Sequence, residues 1–178
     1  MIDIRIAENC IILKTLERNH LARAVELYNC DSNIYYATGF YGQICLRELE
    51  EKYNLIESSE NEFLVGVHIR RSETDAGCEY VLAGLISGGL QDNSVWVKLM
   101  LISPEYRNNG IGTKTLSLLL QYFKEFFDAR DAFLSVVKGK HAAMNFWIFN
   151  GFSEVRSINK KICDEQHPEQ IAIMHKKI

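Results

Sequence analysis

The chain has 178 residues, 47% of them hydrophobic, which is enough for one sizeable core and sets the expectation of a single domain over residues 1–178. A net charge of −3 and short basic clusters such as Arg70-Arg71 and Lys176-Lys177 exclude a general nucleic-acid binder. No apolar run approaches the roughly 20 residues that cross a bilayer, and the N-terminal "MIDIRIAENC" lacks the apolar stretch of a signal peptide, so the expected compartment is the cytoplasm with no membrane partner.

In chain order, "CIILKTL" (10–16) is β-branched and reads as a first strand. "NHLARAVELYN" follows with Leu21, Ala24, Val25 and Tyr28 at helical spacing and Asn19 as a candidate N-cap. The turn-rich, aromatic "DSNIYYATGFYGQ" (31–43) separates it from a second helical stretch, "ICLRELEEKYNLIE". Residues 62–71 and 79–90 read as strands, and "SETDAG" between them has hairpin composition, which makes the pair antiparallel.

Another strand, "SVWVKLMLIS" (94–103), runs into "PEYRNNGIG" and then a helix whose apolar face is Leu116, Leu119, Leu120, Phe123 and Phe127. "AFLSVV" is a short buried strand, and "HAAMNFWIFN" a short helix ended by Gly151. Residues 152–159 and 170–177 complete the pattern as two late strands. The order β-α-α-β-β-β-α-β-α-β-β is mixed α/β, with an antiparallel front half and βα units behind it.

The five cysteines are odd in number, widely spaced and without a CxxC pair, which disfavours a disulfide framework or a metal site. Most are expected as small buried hydrophobes. Cys163 with His167 is the nearest approach to a ligand pair.

Gly110 and Gly112 stand where a strand hands over to a helix. The first N–H groups of that helix have no carbonyl partner and carry the positive end of its dipole. Without Cβ atoms the main chain is open to a diphosphate, and the Arg107 guanidinium can stand beside the same charge. A P-loop requires glycine immediately before Lys-Ser/Thr, but Thr113 precedes Lys114-Thr115. A dinucleotide fingerprint requires glycine or alanine where Thr115 stands. Neither pattern fits.

The pattern Arg/Gln-x-x-Gly-x-Gly/Ala does fit, as Arg107-Asn108-Asn109-Gly110-Ile111-Gly112. Here the sequence resembles the GNAT superfamily of N-acetyltransferases. "ISPEYRNNGIGTKTL" is similar to the family's strand-loop-helix core. "AFLSVVKGKHAAMNFWIFNGF" is similar to its second segment, with Ala142-Ala143 and Gly151-Phe152 at the family spacing.

The resemblance implies a mostly antiparallel central sheet flanked by helices, and acetyl-coenzyme A as cosubstrate without a metal. It also implies direct acetyl transfer to a primary amine of a small molecule or peptide. A non-catalytic acetyl-coenzyme A sensor is the alternative, and a homodimer is expected by analogy. Main-chain groups of Met100, Leu101 and Ile102 would bind the pantetheine arm. Those of Asn108, Asn109, Gly110, Ile111, Gly112 and Thr113 would hold the diphosphate. Lys140 stands where many relatives carry a coenzyme-contacting asparagine.

Trp147 takes the place of the family's acidic tyrosine, where indole orients the sulfur or fills space but does not act as an acid. Trp96 takes the place of the glutamate base of several relatives. Asp92, Glu79, His68 or a water chain are the candidates left for that role, and His141, His167 and His175 have no better claim. Tyr35, Tyr36, Phe40 and Tyr41 would border the acceptor groove as aromatic walls for an apolar or cationic amine, or else pack as a helix cap. The glutamates of "LRELEEKYNLIESSENE" either favour a basic substrate or form a solvated helix face.

Overall fold

A computed structural model describes residues 1–30, 43–74, 77–160 and 169–178. Its strands are β1 (Arg5–Glu8), β2 (Ile11–Thr15), β3 (Glu62–Thr74), β4 (Gly77–Gln91), β5 (Ser94–Ile102), β6 (Asp131–Val137), β7 (Ser153–Lys160) and β8 (Glu169–Lys177). The helices among the described residues are α1 (Leu21–Asn29), α2 (Leu46–Glu57), α3 (Ile111–Phe127) and α4 (His141–Phe149). Short 3₁₀ turns cover Arg18–His20 and Pro104–Tyr106. The strands form an 8-stranded sheet in the order β1-β2-β3-β4-β5-β6-β8-β7. Only the β5–β6 pair is parallel; the others are antiparallel.

Strand alternation sends side chains to two separate cores. Phe63, Val65 and Val67 of β3 face α3 and α4, where they meet Leu119, Phe123 and Trp147. Leu64 of β3 with Leu85, Leu99 and Leu101 faces α1 and α2, against Leu27, Tyr28, Leu49 and Tyr53. The expected apolar face of α3 is present: Leu116, Leu119, Leu120 and Phe123 are buried and Phe127 packs at its edge.

Local signals explain several element ends. Gly151 adopts φ +85, and its N–H donates to Ile148 O (2.9 Å) while Phe152 N–H donates to Trp147 O (3.0 Å), the Schellman closure of α4. The Cys45 N–H donates to Glu48 Oε2 (2.8 Å) at the start of α2. Asp92 and Asn93, both at positive φ, turn β4 into β5.

Three expectations need correction. The first strand is preceded by β1, and Cys10 lies in the turn between the two, beside Asn9 at φ 54. The alternation Ile2-Asp3-Ile4-Arg5-Ile6 carries the period-two signal for that extra segment. Asn19 lies inside the 3₁₀ turn, and His20 precedes α1 without a side-chain cap. Cys10, Cys30, Cys45 and Cys78 are exposed because each sits at a turn, an element end or an edge rather than on a core face. Cys163 and His167 lie outside the described residues.

Candidate active site

β5 and β6 pair only from Ser94 to Val97 against Asp131 to Leu134. Beyond Val97 the two strands part, although β5 continues to Ile102 and β6 to Val137. A bulge marks the parting: Val97 faces Gly88 and Leu99 faces Ser87, which leaves Lys98 as the extra residue. The bulge also switches side-chain parity. Val95 and Val97 face α3, whereas Leu99 and Leu101 face α2. Gly88 is required here, because a Cβ would lie 2.0 Å from Trp96 O and 2.6 Å from the Phe63 ring.

Past the vertex, β5 presents a bare edge to the gap. Ser103 N–H donates to Ala83 O (2.8 Å), and by antiparallel alternation Leu101 then turns its main-chain groups to Leu85. Met100 and Ile102 turn theirs to the gap instead. Of the expected trio, Leu101 is therefore engaged within the sheet. Ile102 O accepts the Arg107 Nε–H at 2.7 Å, which ties the following loop to the strand end.

That loop ends on the first turn of α3. Asn108 (φ 62) and Gly110 (φ 74) both take left-handed backbone, which asparagine and glycine tolerate best. The first helical bond runs from Lys114 N–H to Gly110 O (3.0 Å). The N–H groups from Asn108 to Thr113 donate to no acceptor among the described residues. The two glycines serve different ends. At Gly110 a Cβ would meet nothing within 4 Å, so the backbone angle alone demands glycine. At Gly112 a Cβ would come within 3.2 Å of the Phe146 ring and 3.6 Å of Met100 Cε. Glycine there lets α4 close on α3, a packing reason rather than direct room for a ligand.

Lys140 precedes α4, just past the end of β6 on the far side of the gap. Trp147 is a core side chain, edge-on to Phe146 (4.9 Å) and Phe152 (5.5 Å). Trp96 stacks on Phe133 at 5.0 Å, and Phe133 meets the His175 ring at a tilt at 4.8 Å, an aromatic row across β5, β6 and β8. His175 Nε2 is held by Asp131 Oδ1 at 2.6 Å.

The remaining proton-acceptor candidates are dispersed. Asp92 sits at the exposed β4–β5 turn, and Glu79 lies outside the part of β4 that pairs with β5. His141 begins α4 and is exposed. His68, on β3, is buried; its Nδ1–H donates to Gly66 O (3.2 Å), its Nε2 has no partner among the described residues, and the His20 ring lies edge-on at 5.4 Å. Burial first, and then the Lys14 charge, push its imidazole below the ordinary range.

On the α2 face, a cavity of about 340 Å³ opens directly against the bulge. Among the described residues it is lined by Ser87, Gly88, Leu99, Glu62 and Lys98 of the sheet and by Lys52, Leu55 and Ile56 of α2. Gly89 stands between Glu62 and Trp96 in the register, and without a side chain there Glu62 reaches across to pair with Lys98. A carboxylate thus arrives at the vertex from two strands away, not from β5 itself. Nothing in the local sequence marks Glu62, Lys52 or Lys98, since each joins the site only through the sheet register and α2 packing. Tyr35, Tyr36, Phe40 and Tyr41 lie outside the described residues. Among those described, no group of three or more metal-ligating side chains forms, and no helix is long and apolar enough to cross a membrane.

A family model described as the acetyltransferase (GNAT) family matches residues 21–152. The chain belongs to the GNAT acetyltransferase family. No curated protein matches its sequence closely. Similar solved structures include a spermidine N-acetyltransferase from Vibrio cholerae in complex with coenzyme A and spermine. That structure has a TM-score of 0.76 at 20% identity and covers 96% of each chain. A probable GNAT acetyltransferase from Chromobacterium violaceum has a TM-score of 0.79 at 13% identity, covering 99% of this chain and 87% of its own. A dodecameric spermidine N-acetyltransferase structure from Vibrio cholerae has a TM-score of 0.71 at 20% identity, covering 96% of this chain and 95% of its own. The mixed, mostly antiparallel α/β sheet is the GNAT fold. This GNAT protein is an acetyltransferase, and acetyl-coenzyme A is its cosubstrate.

Proposed function

We propose that the two sides of the β5–β6 vertex receive the two substrates of an N-acetyl transfer. The observation that carries the assignment is the run of unpartnered N–H groups from Asn108 to Thr113 at the open end of the gap. A diphosphate supplies the acceptors those groups lack, and the helix dipole of α3 favours its charge. Pantetheine, an amide-bearing chain, lies along the bare edge of β5 and bonds Met100 and Ile102 in the manner of an added strand. Exposed Arg107 adds positive charge beside the loop, and Lys140 stands across the gap from it. Trp147 acts by packing α4.

The thioester then sits near the bulge, with the α2-face cavity on the other side of the strand. The acceptor is an amine that enters there, as the spermine named with one of the similar structures is an amine. Its ammonium passes a proton to Glu62, and the neutral nitrogen attacks the thioester carbon. A C–N bond forms, the oxyanion is stabilised by main-chain N–H on the β5 edge, and the C–S bond breaks. The thiolate takes the proton that the new amide nitrogen releases, through water. The proton on Glu62 returns to solvent.

Residues 1–178 act as one catalytic domain in this proposal, because all the described strands join one sheet. We place the enzyme in the cytoplasm, where acetyl-coenzyme A is plentiful. We also propose a homodimer, for which exposed Ile148, Phe149 and Val155 offer apolar surface. Calorimetric titration with acetyl-coenzyme A, against an acetylated pantetheine lacking the diphosphate, tests the coenzyme assignment. Micromolar binding that requires the diphosphate, followed by amine-dependent thiol release, is the expected result. Equal affinity for the two ligands removes the assignment.

A further inference from the structure

Ser87 is a polar residue at an apolar strand position. Ile86 before it faces α3, whereas its register partners Leu64 and Leu99 both face α2, so by strand alternation the Ser87 side chain also faces α2. It is 3% exposed, and Leu64, Leu85 and Leu99 around it are buried. Its hydroxyl makes no hydrogen bond among the described residues. A hydroxyl held there without a partner is a net cost to folding, and alanine would occupy the same position without that cost.

What the hydroxyl opens on is the α2-face cavity, which Ser87 lines one residue before Gly88 of the bulge. Glu62 lines it too. Glu62 pairs in register with Gly89, two residues beyond Ser87, so carboxylate and hydroxyl are diagonal neighbours on one face of the sheet.

We propose that Ser87 is a catalytic residue of the acetyl transfer, its hydroxyl oxygen accepting an N–H of the acceptor amine and so aiming the nitrogen at the thioester carbon. The assignment rests on the transfer geometry proposed above and adds a residue to it. Glu62 takes the proton of the ammonium. Ser87 then accepts one of the N–H bonds that a primary amine keeps, which turns the lone pair toward the gap. No covalent bond forms to Ser87 and no proton leaves through it. The substrate thus supplies the partner that the hydroxyl lacks in the free protein.

Loss of the acetyl-coenzyme A thioester is measured with putrescine, spermidine, 3-methylbutylamine and leucine as acceptors, in the native protein, Ser87→Ala and Ser87→Cys. With the acceptor that the native protein uses best, Ser87→Ala is expected to lower kcat/KM at least about tenfold while coenzyme affinity stays intact. Its urea midpoint is expected at or above the native one, because alanine removes a polar group without removing a bond. Ser87→Cys keeps a similar volume but is a weak acceptor, and is expected to lose activity as Ser87→Ala does.

A smaller loss in Ser87→Ala overturns the proposal. So does a lower urea midpoint, which makes the hydroxyl structural, and so does a Ser87→Cys protein as active as the native one, which makes space the requirement. If none of the amines is acetylated, calorimetry on the coenzyme A-loaded protein decides. An amine whose binding Ser87→Ala weakens at least about threefold supports the proposal; a smaller change, or no binding, overturns it. Failure of the native protein to bind acetyl-coenzyme A is a separate result, which removes the transfer geometry along with this assignment.

Discussion

On the α3 side of the vertex the groups proposed to bind substrate are main-chain N–H groups, set by two left-handed residues and the start of a 17-residue helix. On the α2 side the cavity is lined by three long charged side chains from α2, β3 and β5, brought together by the sheet register. The first kind of site is written locally: Asn108 and Gly110 supply the backbone angles, and the amphipathic run after them supplies the helix. The second kind is written nowhere in particular. It needs Gly89 to leave a strand bare, Lys98 to bulge, and α2 to lie over both. The main-chain side suits a ligand shared by a whole family, while the side-chain side can change its acceptor by single substitutions.

Removing the bulge that joins the two sides should cost the most. Gly88→Ala places a methyl against Trp96 O and the Phe63 ring, and a loss of about 3 kcal/mol in unfolding free energy by urea denaturation is expected. A stable variant would show that the strand can straighten, and that the vertex is not built on this glycine.

Gly110→Val comes next, because a β-branched residue resists the left-handed backbone at φ +74. The coenzyme dissociation constant should rise at least about tenfold, or 1.4 kcal/mol, while the global fold persists. An unchanged constant in a folded variant would detach the coenzyme from this loop. Arg107→Ala should weaken the coenzyme by a smaller factor that shrinks as salt is added, since an exposed guanidinium acts through screened charge. A loss equal at low and high salt would point instead to the bond from Arg107 Nε–H to Ile102 O.

The smallest effect concerns pH. His68 is held below its ordinary value of 6.5, so the unfolded chain binds this proton more readily than the folded one. Its contribution to stability is therefore present above about pH 6.5 and is lost as pH falls through and below that value. Urea midpoints from pH 7.5 to 5 should decline in the native protein and decline less in His68→Gln. Parallel curves would remove His68 from the account.

The architecture was largely legible because most of its signals are local. Gly151 closes α4 where the sequence places it, and the alternation in residues 62–71 and 79–90 marks a hairpin that the structure extends to Thr74 and Gly77. β1 escaped because its alternation is only a few residues long, and Asn9-Cys10 is a less familiar turn than Asn-Gly. In the candidate site, the loop from Arg107 to Thr113 could be read directly, but not the packing reason for Gly112, which depends on Phe146 from another helix. No carboxylate stands on β5 itself; Glu62 reaches the vertex across a glycine on the intervening strand, a placement that only the register reveals.

Coenzyme and acceptor are proposed to meet at the Val97–Leu99 bulge from opposite faces. A crystal structure with acetyl-coenzyme A and an acceptor tests it most directly. The predicted result has the diphosphate on the Asn108–Thr113 N–H groups and the acceptor nitrogen in the α2-face cavity, about 3–3.5 Å from the thioester carbon. A coenzyme bound away from the β5–β6 gap, or an acceptor approaching from the α3 face, would contradict it.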